Sequence, residues 1–212
     1  MIFDMDGVIS DSERLMVATE QEICRRNELA VPDSEWRSFK GKPNSEIFRY
    51  IVEVYGNDRR YDVADLSRQK RELYLERAAR ELDPISGALE YLRLARLRYR
   101  MLGLTTSNHG SCANLVLDCF KLRDFFDAIV VQEDIPDGRH KPNPDPYVLT
   151  VQRLGVAPHE CYVIEDSDNG VMSAALAGCT VIGLTTSFDR ITLQAAGAHL
   201  IVDSFIELSQ LA

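Results

Sequence analysis

The stretch MIFDMDG (residues 1–7) decides how the rest of the chain is interpreted, because it joins a short apolar run to two carboxylates and a glycine. If residues 1–3 form a strand, side chains two positions apart point to the same side, so Asp4 and Asp6 project together from its carboxyl end. Gly7 allows a positive φ and therefore a sharp turn. Two carboxylates held this close repel each other unless a cation separates them. An acidic turn without any chemistry is the alternative, since Asp and Gly are ordinary turn residues.

The composition is that of a globular protein with a sizeable core: 212 residues, 45% hydrophobic, 27% charged, with a formal net charge of −9. The negative charge disfavours nucleic acid or an anionic membrane as a partner. No apolar run approaches the ~20 residues of a membrane span, and the chain opens on a core-like strand where a signal peptide has a basic segment. The five cysteines are odd in number and form no CxxC pair, and the four histidines lack zinc-ligand spacing. We therefore expect reduced thiols, no zinc site and a cytoplasmic location.

The order of helical and strand-like patterns predicts the domain organisation. Residues 12–83 show helical spacing without convincing β alternation, with Ser12 as an N-cap and a last helix over about 62–82. From residue 84, helices alternate with strand-like runs at 100–106, 128–132, 161–166, 180–186 and 199–204. This pattern predicts an α/β fold, a Rossmann-like core with a mostly parallel sheet, formed by residues 1–11 and 84–212. Residues 12–83 are then an inserted α-helical cap domain.

Polar residues follow four of the strand-like runs, and parallel strands present their carboxyl ends at one edge of the sheet. They are Asp4 and Asp6 after the first, Thr105, Thr106, Ser107 and Asn108 after the second, Lys141 in a proline-rich loop beyond the third, and Glu165 and Asp166 after the fourth. Carboxylates suit a hard cation such as Mg²⁺, whereas hydroxyls, backbone N–H groups and a lysine bind phosphate oxygens. We interpret Gly170 and Ala174, four residues apart in the next helix, as a packing feature without chemistry.

These motifs resemble those of the haloacid dehalogenase-like superfamily, and the resemblance covers essentially the whole chain. Residues 4–7 match its DxDG motif, Thr105 its Thr/Ser, Lys141 the lysine of a KPxPD loop, and Glu165 with Asp166 its acidic pair. The cap inserted after the first motif resembles the subfamily of phosphoglycolate phosphatase-like enzymes and β-phosphoglucomutase. The resemblance implies Mg²⁺-dependent phosphoryl transfer through an aspartyl-phosphate.

The resemblance also implies a role for each matching residue. Asp4 would be the nucleophile and a metal ligand, and Asp6 the general acid and base, with its backbone carbonyl on the metal. The phosphate-binding groups would be Thr105, the Thr106 backbone N–H, Ser107 and Lys141. Glu165 and Asp166 would complete the metal site.

The resulting prediction is a phosphatase for a small phosphorylated metabolite, either a sugar phosphate or an organic-acid phosphate. A hexose phosphate mutase is the alternative enzymatic function. Met16 stands where mutase-like members carry a histidine, and residues 40–44 lack the arginine that those members carry in the cap loop, which favours hydrolysis. A phosphate-sensing protein without catalysis is the other alternative, although no motif residue is missing. Lys42, Asn44 and Lys70 are predicted substrate contacts of the cap domain, with a solvated surface as the alternative for each.

Overall fold

The computed structural model describes residues 1–39, 44–56 and 61–211. The chain divides into two compact units, one formed by Met1–Asp11 with Asp83–Ala212 and the other by Ser12–Leu82.

The first unit is built on a six-stranded sheet in which all neighbouring strands are parallel, in the order β3-β2-β1-β4-β5-β6. The strands are β1 (Ile2–Phe3), β2 (Gly103–Thr105), β3 (Ala128–Val130), β4 (Tyr162–Glu165), β5 (Thr180–Leu184) and β6 (Leu200–Val202). Its helices are α4 (Ala88–Arg98), α5 (Gly110–Phe120), α6 (Asp145–Leu154), α7 (Asp168–Leu176), α8 (Arg190–Ala196) and α9 (Phe205–Leu211).

The central position of β1 explains why two residues suffice for a strand. Ile2 pairs with Gly103 of β2 on one side and with Val163 of β4 on the other, and both Ile2 and Phe3 are fully buried. A buried strand of a parallel sheet has a continuous apolar sequence, as residues 1–3 do. Gly103 keeps this region closely packed, since a Cβ there would lie 2.8 Å from Thr150 Cγ2 of α6.

Within its described residues, the second unit contains three α-helices, α1 (Glu13–Arg26), α2 (Asn44–Tyr55) and α3 (Val63–Glu81). Its core is apolar and aromatic, and it includes Ile23, Trp36, Phe48, Ile51 and Leu66. The Asp62 side chain accepts the Ala64 N–H at 2.8 Å and so caps the start of α3.

The sequence-based prediction of a mostly parallel α/β core is confirmed, and every predicted strand is present. The observed strands are shorter than the apolar runs that predicted them, because the runs extend into the loops that carry polar residues. None of the helices in the described part of the chain combines the length and apolar character needed to cross a bilayer. The five cysteines are free, and four of them are buried.

Candidate active site

Asp4 lies at the carboxyl end of the central strand, where the chain must turn away from the sheet. The Asp4 N–H donates to the Ile164 carbonyl at 3.0 Å, so the backbone is still held beside β4. Gly7 then adopts a φ of +77°, and a Cβ at this position would lie 1.8 Å from Asp166 Oδ2. Both the backbone conformation and the close approach of Asp166 therefore require glycine here.

Lys141 connects two of the strand ends. Its ammonium lies 2.6 Å from Asp4 Oδ1 and 2.6 Å from Glu165 Oε1, and its side chain is only 7% exposed. The loop that carries it is braced by Asn143, whose amide donates to the Gly138 and His140 carbonyls at 3.2 and 2.9 Å. Burial lowers the pKa of Lys141, but Asp4 and Glu165 raise it by more, so the lysine stays charged.

Three buried carboxylates converge around this lysine. Oxygen atoms of Asp4, Glu165 and Asp166 all lie within 4.8 Å of one another. Burial raises the pKa of Asp4 to about 8, against the opposing charge of Lys141 and with further help from Glu165 and Asp6. Burial, followed by Glu165 and Asp4, also raises the pKa of Asp166 well above its usual range. One lysine does not balance three carboxylates, and an oxygen-only cluster with excess negative charge fits a hard divalent cation.

The Glu165 carboxylate is already surrounded by hydrogen-bond donors. Oε1 accepts from Lys141 and from the Tyr147 hydroxyl at 2.7 Å. Oε2 accepts from the Asp166 N–H at 3.1 Å, the Ser167 N–H at 3.3 Å and the Ser167 hydroxyl at 3.1 Å. A carboxylate offers about four lone-pair positions, so five donors leave little capacity for a cation. The observed contacts of Glu165 hold Lys141 and the start of α7, and its predicted role as a direct metal ligand stays a prediction.

The predicted role of Thr105 is wrong in this structure, because successive side chains of a strand alternate in direction. The Thr105 hydroxyl is fully buried and shares a 2.6 Å hydrogen bond with Thr150 of α6. The neighbouring Thr106 hydroxyl lies 3.5 Å from Asp6 Oδ2. The Thr106 N–H, which was predicted to bind phosphate, donates to the Val130 carbonyl at 3.0 Å. The side chain of Thr106, and not its N–H, is therefore the group at the site.

Sequence reasoning did not assign a role to three further polar side chains at this site. The Asn108 amide donates to Asp6 Oδ2 at 2.6 Å, the Thr186 hydroxyl donates to the Gly7 carbonyl at 2.5 Å, and Ser187 hydrogen-bonds the Asp166 carboxylate. Asn108 belongs to the polar run after β2, and Thr186 and Ser187 follow β5. Extending the strand-end argument to the fifth strand would have found the last two.

The remaining predicted residues are placed as follows. Ser107 is exposed at the end of β2, and its phosphate contact stays a prediction. Lys42 lies outside the described residues, and of Asn44 only the backbone is described, at the start of α2. Lys70 is buried within the helical unit and lies 3.4 Å from Glu20, so it is not the solvated surface lysine considered as its alternative.

Comparisons with known proteins show the family to which the chain belongs. The family model for haloacid dehalogenase-like hydrolases matches residues 1–184. A fructose-1-phosphate phosphatase of Escherichia coli strain K12 is 30% identical over 182 residues, which cover 86% of this chain and 94% of that protein. A phosphorylated carbohydrates phosphatase of Thermotoga maritima is 28% identical over 205 residues, with 95% and 93% covered. The crystal structure of a hydrolase from Pseudomonas syringae is similar with a TM-score of 0.81 at 25% identity, over 99% of this chain and 95% of that one. The chain therefore belongs to the family of haloacid dehalogenase-like hydrolases.

Proposed function

We propose that this protein is a phosphomonoesterase that hydrolyses a small phosphorylated metabolite, a sugar phosphate or an organic-acid phosphate, with Mg²⁺ as cofactor. Two relatives support this class of reaction, since one is named as a fructose-1-phosphate phosphatase and the other as a phosphatase of phosphorylated carbohydrates. The buried carboxylates and the lysine at the end of β1 support it independently.

Asp4 is the proposed nucleophile. One of its carboxylate oxygens attacks phosphorus while the bond from phosphorus to the ester oxygen breaks, which gives an aspartyl-phosphate and the free alcohol. Water then attacks the same phosphorus, so that phosphate leaves and the Asp4 carboxylate is regenerated; one difficult displacement becomes two easier ones. Lys141, 2.6 Å from Asp4 Oδ1, offsets the negative charge that gathers on the phosphoryl oxygens.

Asp6 is the proposed general acid and base. It gives a proton to the departing ester oxygen and later takes one from the attacking water, a contribution of roughly 10²–10⁴-fold in rate. The Asn108 amide, 2.6 Å from Asp6 Oδ2, fixes the orientation of this carboxylate. The Thr106 hydroxyl, 3.5 Å from the same oxygen, is our proposed phosphate contact in place of Thr105.

The carboxylates of Asp4 and Asp166, with the backbone carbonyl of Asp6, are the proposed ligands of Mg²⁺. Asp4 and Asp166 are buried, and burial together with their negative neighbours raises the pKa of each. A cation bound between them would stabilise their ionised forms. When bound, the ion neutralises charge on the phosphoryl group and orients it for in-line attack. Glu165 takes no direct part in this set, because its oxygens hold Lys141 and the backbone that follows β4.

The contact of Lys141 with both Asp4 and Glu165 carries this proposal, because it gathers three distant chain segments around one carboxylate. The test is a panel of phosphorylated hexoses, pentoses, polyols and small organic acids, incubated with the protein and Mg²⁺ and assayed for released inorganic phosphate. We expect release from at least one small phosphoester, and none when a chelator removes the metal. Isomerisation without net phosphate release, or no turnover of any panel member by folded protein, would contradict the proposal.

A further inference from the structure

Tyr147 is a buried tyrosine directly beneath the site. It belongs to α6, is fully buried, and donates its hydroxyl to Glu165 Oε1 at 2.7 Å. The Lys141 ammonium lies 4.9 Å from the centre of its ring. Tyr147 therefore touches both members of the Lys141–Glu165 pair, through two different parts of its side chain.

The Lys141 ammonium is shared equally, with 2.6 Å to Asp4 and 2.6 Å to Glu165. In the proposed reaction this lysine stabilises the negative charge of the phosphoryl group at Asp4. A stronger attraction to Glu165 would move the ammonium away from that group. Glu165 Oε1 accepts both the ammonium and the Tyr147 hydroxyl, and a second donor on the same oxygen weakens its attraction for the first. The other oxygen, Oε2, accepts from Asp166 and Ser167, which prevents the carboxylate from turning to compensate.

We propose that the Tyr147 hydroxyl is a positioning group that keeps Lys141 available to Asp4, acting through Glu165. This inference rests on the proposed function, since it concerns the same site. Tyr147 does not contact the reacting atoms. It weakens the attraction of Glu165 for the Lys141 ammonium, so that the ammonium stays close to Asp4.

Tyr147→Phe tests this directly, because it removes one oxygen atom and keeps the ring beside Lys141. We expect kcat to fall roughly ten- to a hundredfold, the rate equivalent of one hydrogen bond to a charged group, with KM changed much less. Tyr91→Phe is the matched control: Tyr91 is also a buried tyrosine of the same unit, but it packs against Phe205 and Phe3. The control should leave kcat unchanged, and an unchanged kcat in Tyr147→Phe itself would overturn the proposal.

Repeating the substitution in a Glu165→Gln background tests whether the hydroxyl acts through Glu165. The loss of kcat caused by Tyr147→Phe should then largely disappear, because Glu165→Gln has already removed the negative charge that attracts Lys141. An equal loss in both backgrounds would show that Tyr147 acts by another route and would overturn the proposal.

A crystal structure of Tyr147→Phe provides a measurement that does not depend on turnover. The Lys141 ammonium should lie closer to Glu165 and farther from Asp4 than in the wild type, and an unmoved ammonium would overturn the proposal. If wild-type protein hydrolyses no phosphoester while the ammonium moves as expected, the proposed function fails and the positioning role stands.

Discussion

Replacing Gly170 by alanine should destabilise the protein, although Gly→Ala inside a helix normally does the opposite. Gly170 is in the first turn of α7, and a Cβ at this position would lie 1.8 Å from Glu165 Oε1 and 2.0 Å from Glu165 Cδ. The carboxylate of Glu165 thus lies directly against the backbone of the helix. It cannot move aside freely, since Lys141 and Tyr147 hold the same oxygen at 2.6 and 2.7 Å.

Two opposing effects decide the sign. Alanine gains about 1 kcal/mol over glycine from helix propensity. Displacing the carboxylate loses or weakens its bonds to Lys141 and Tyr147, and a hydrogen bond to a charged group is worth roughly 1.5–3 kcal/mol. The loss exceeds the gain, so the free energy of unfolding should fall by about 2–5 kcal/mol. Phosphatase activity should fall as well, because displacing the Glu165 carboxylate also shifts the Lys141 ammonium that is bound to it.

Urea unfolding of the wild type and of Gly170→Ala measures this change. Gly110→Ala is the control, since Gly110 also begins a helix but an added Cβ would meet no atom closer than 3.6 Å. The control should be as stable as the wild type or slightly more stable. If Gly170→Ala is also as stable as the wild type, the close contact with Glu165 does not exist in solution and the reasoning is refuted.

Three further predictions concern other groups of the protein. Thr106→Ala should lower kcat by at least tenfold in the phosphate-release assay, whereas Thr105→Ala should mainly lower stability, by about 1–3 kcal/mol, because Thr150 loses a buried partner; a larger loss of kcat in the Thr105 variant would contradict this assignment. Burial raises the pKa of Asp4 to about 8, so the neutral form of Asp4 stabilises the metal-free folded state. This contribution to the free energy of unfolding is lost as the pH rises from the ordinary carboxyl range through about 8. Added Mg²⁺ should therefore raise the thermal unfolding midpoint more at about pH 8 than at about pH 6, and the reverse order would contradict a metal site that includes Asp4. Lys70→Met should lower the free energy of unfolding by about 3–5 kcal/mol in urea titration, because it leaves Glu20 buried without its cation; an equally stable variant would show that this pair is not buried in solution.

The fold was largely predictable from the sequence, because each β-strand of a parallel sheet is a short apolar run followed by polar residues. The same rule places Asp4, Lys141 and Asp166 at one edge of the sheet, as the structure does. Long-range pairing supplied the rest: β1 is only two residues long, and nothing in its own sequence requires β2 and β4 as its neighbours.

The details that could not be predicted depend on the direction of single side chains. Thr105 and Thr106 are adjacent and chemically identical, and only the register of β2 decides which hydroxyl points to Thr150 and which to Asp6. The sequence predicts Gly170 as a packing residue, and the group that packs against it is the Glu165 carboxylate, which comes from the preceding strand. Such contacts depend on which residues meet in the folded structure, and helical spacing alone does not predict them.

The central claim is that Asp4 carries the phosphoryl group, and Asp4→Asn tests it most directly. The measurement is the rate of phosphate release from the best substrate of the panel, with Mg²⁺ present and with cooperative unfolding of the variant verified separately. We expect a rate at least about 10³-fold below that of the wild type, because an amide oxygen is a poor nucleophile. A rate within about tenfold of the wild type would contradict it.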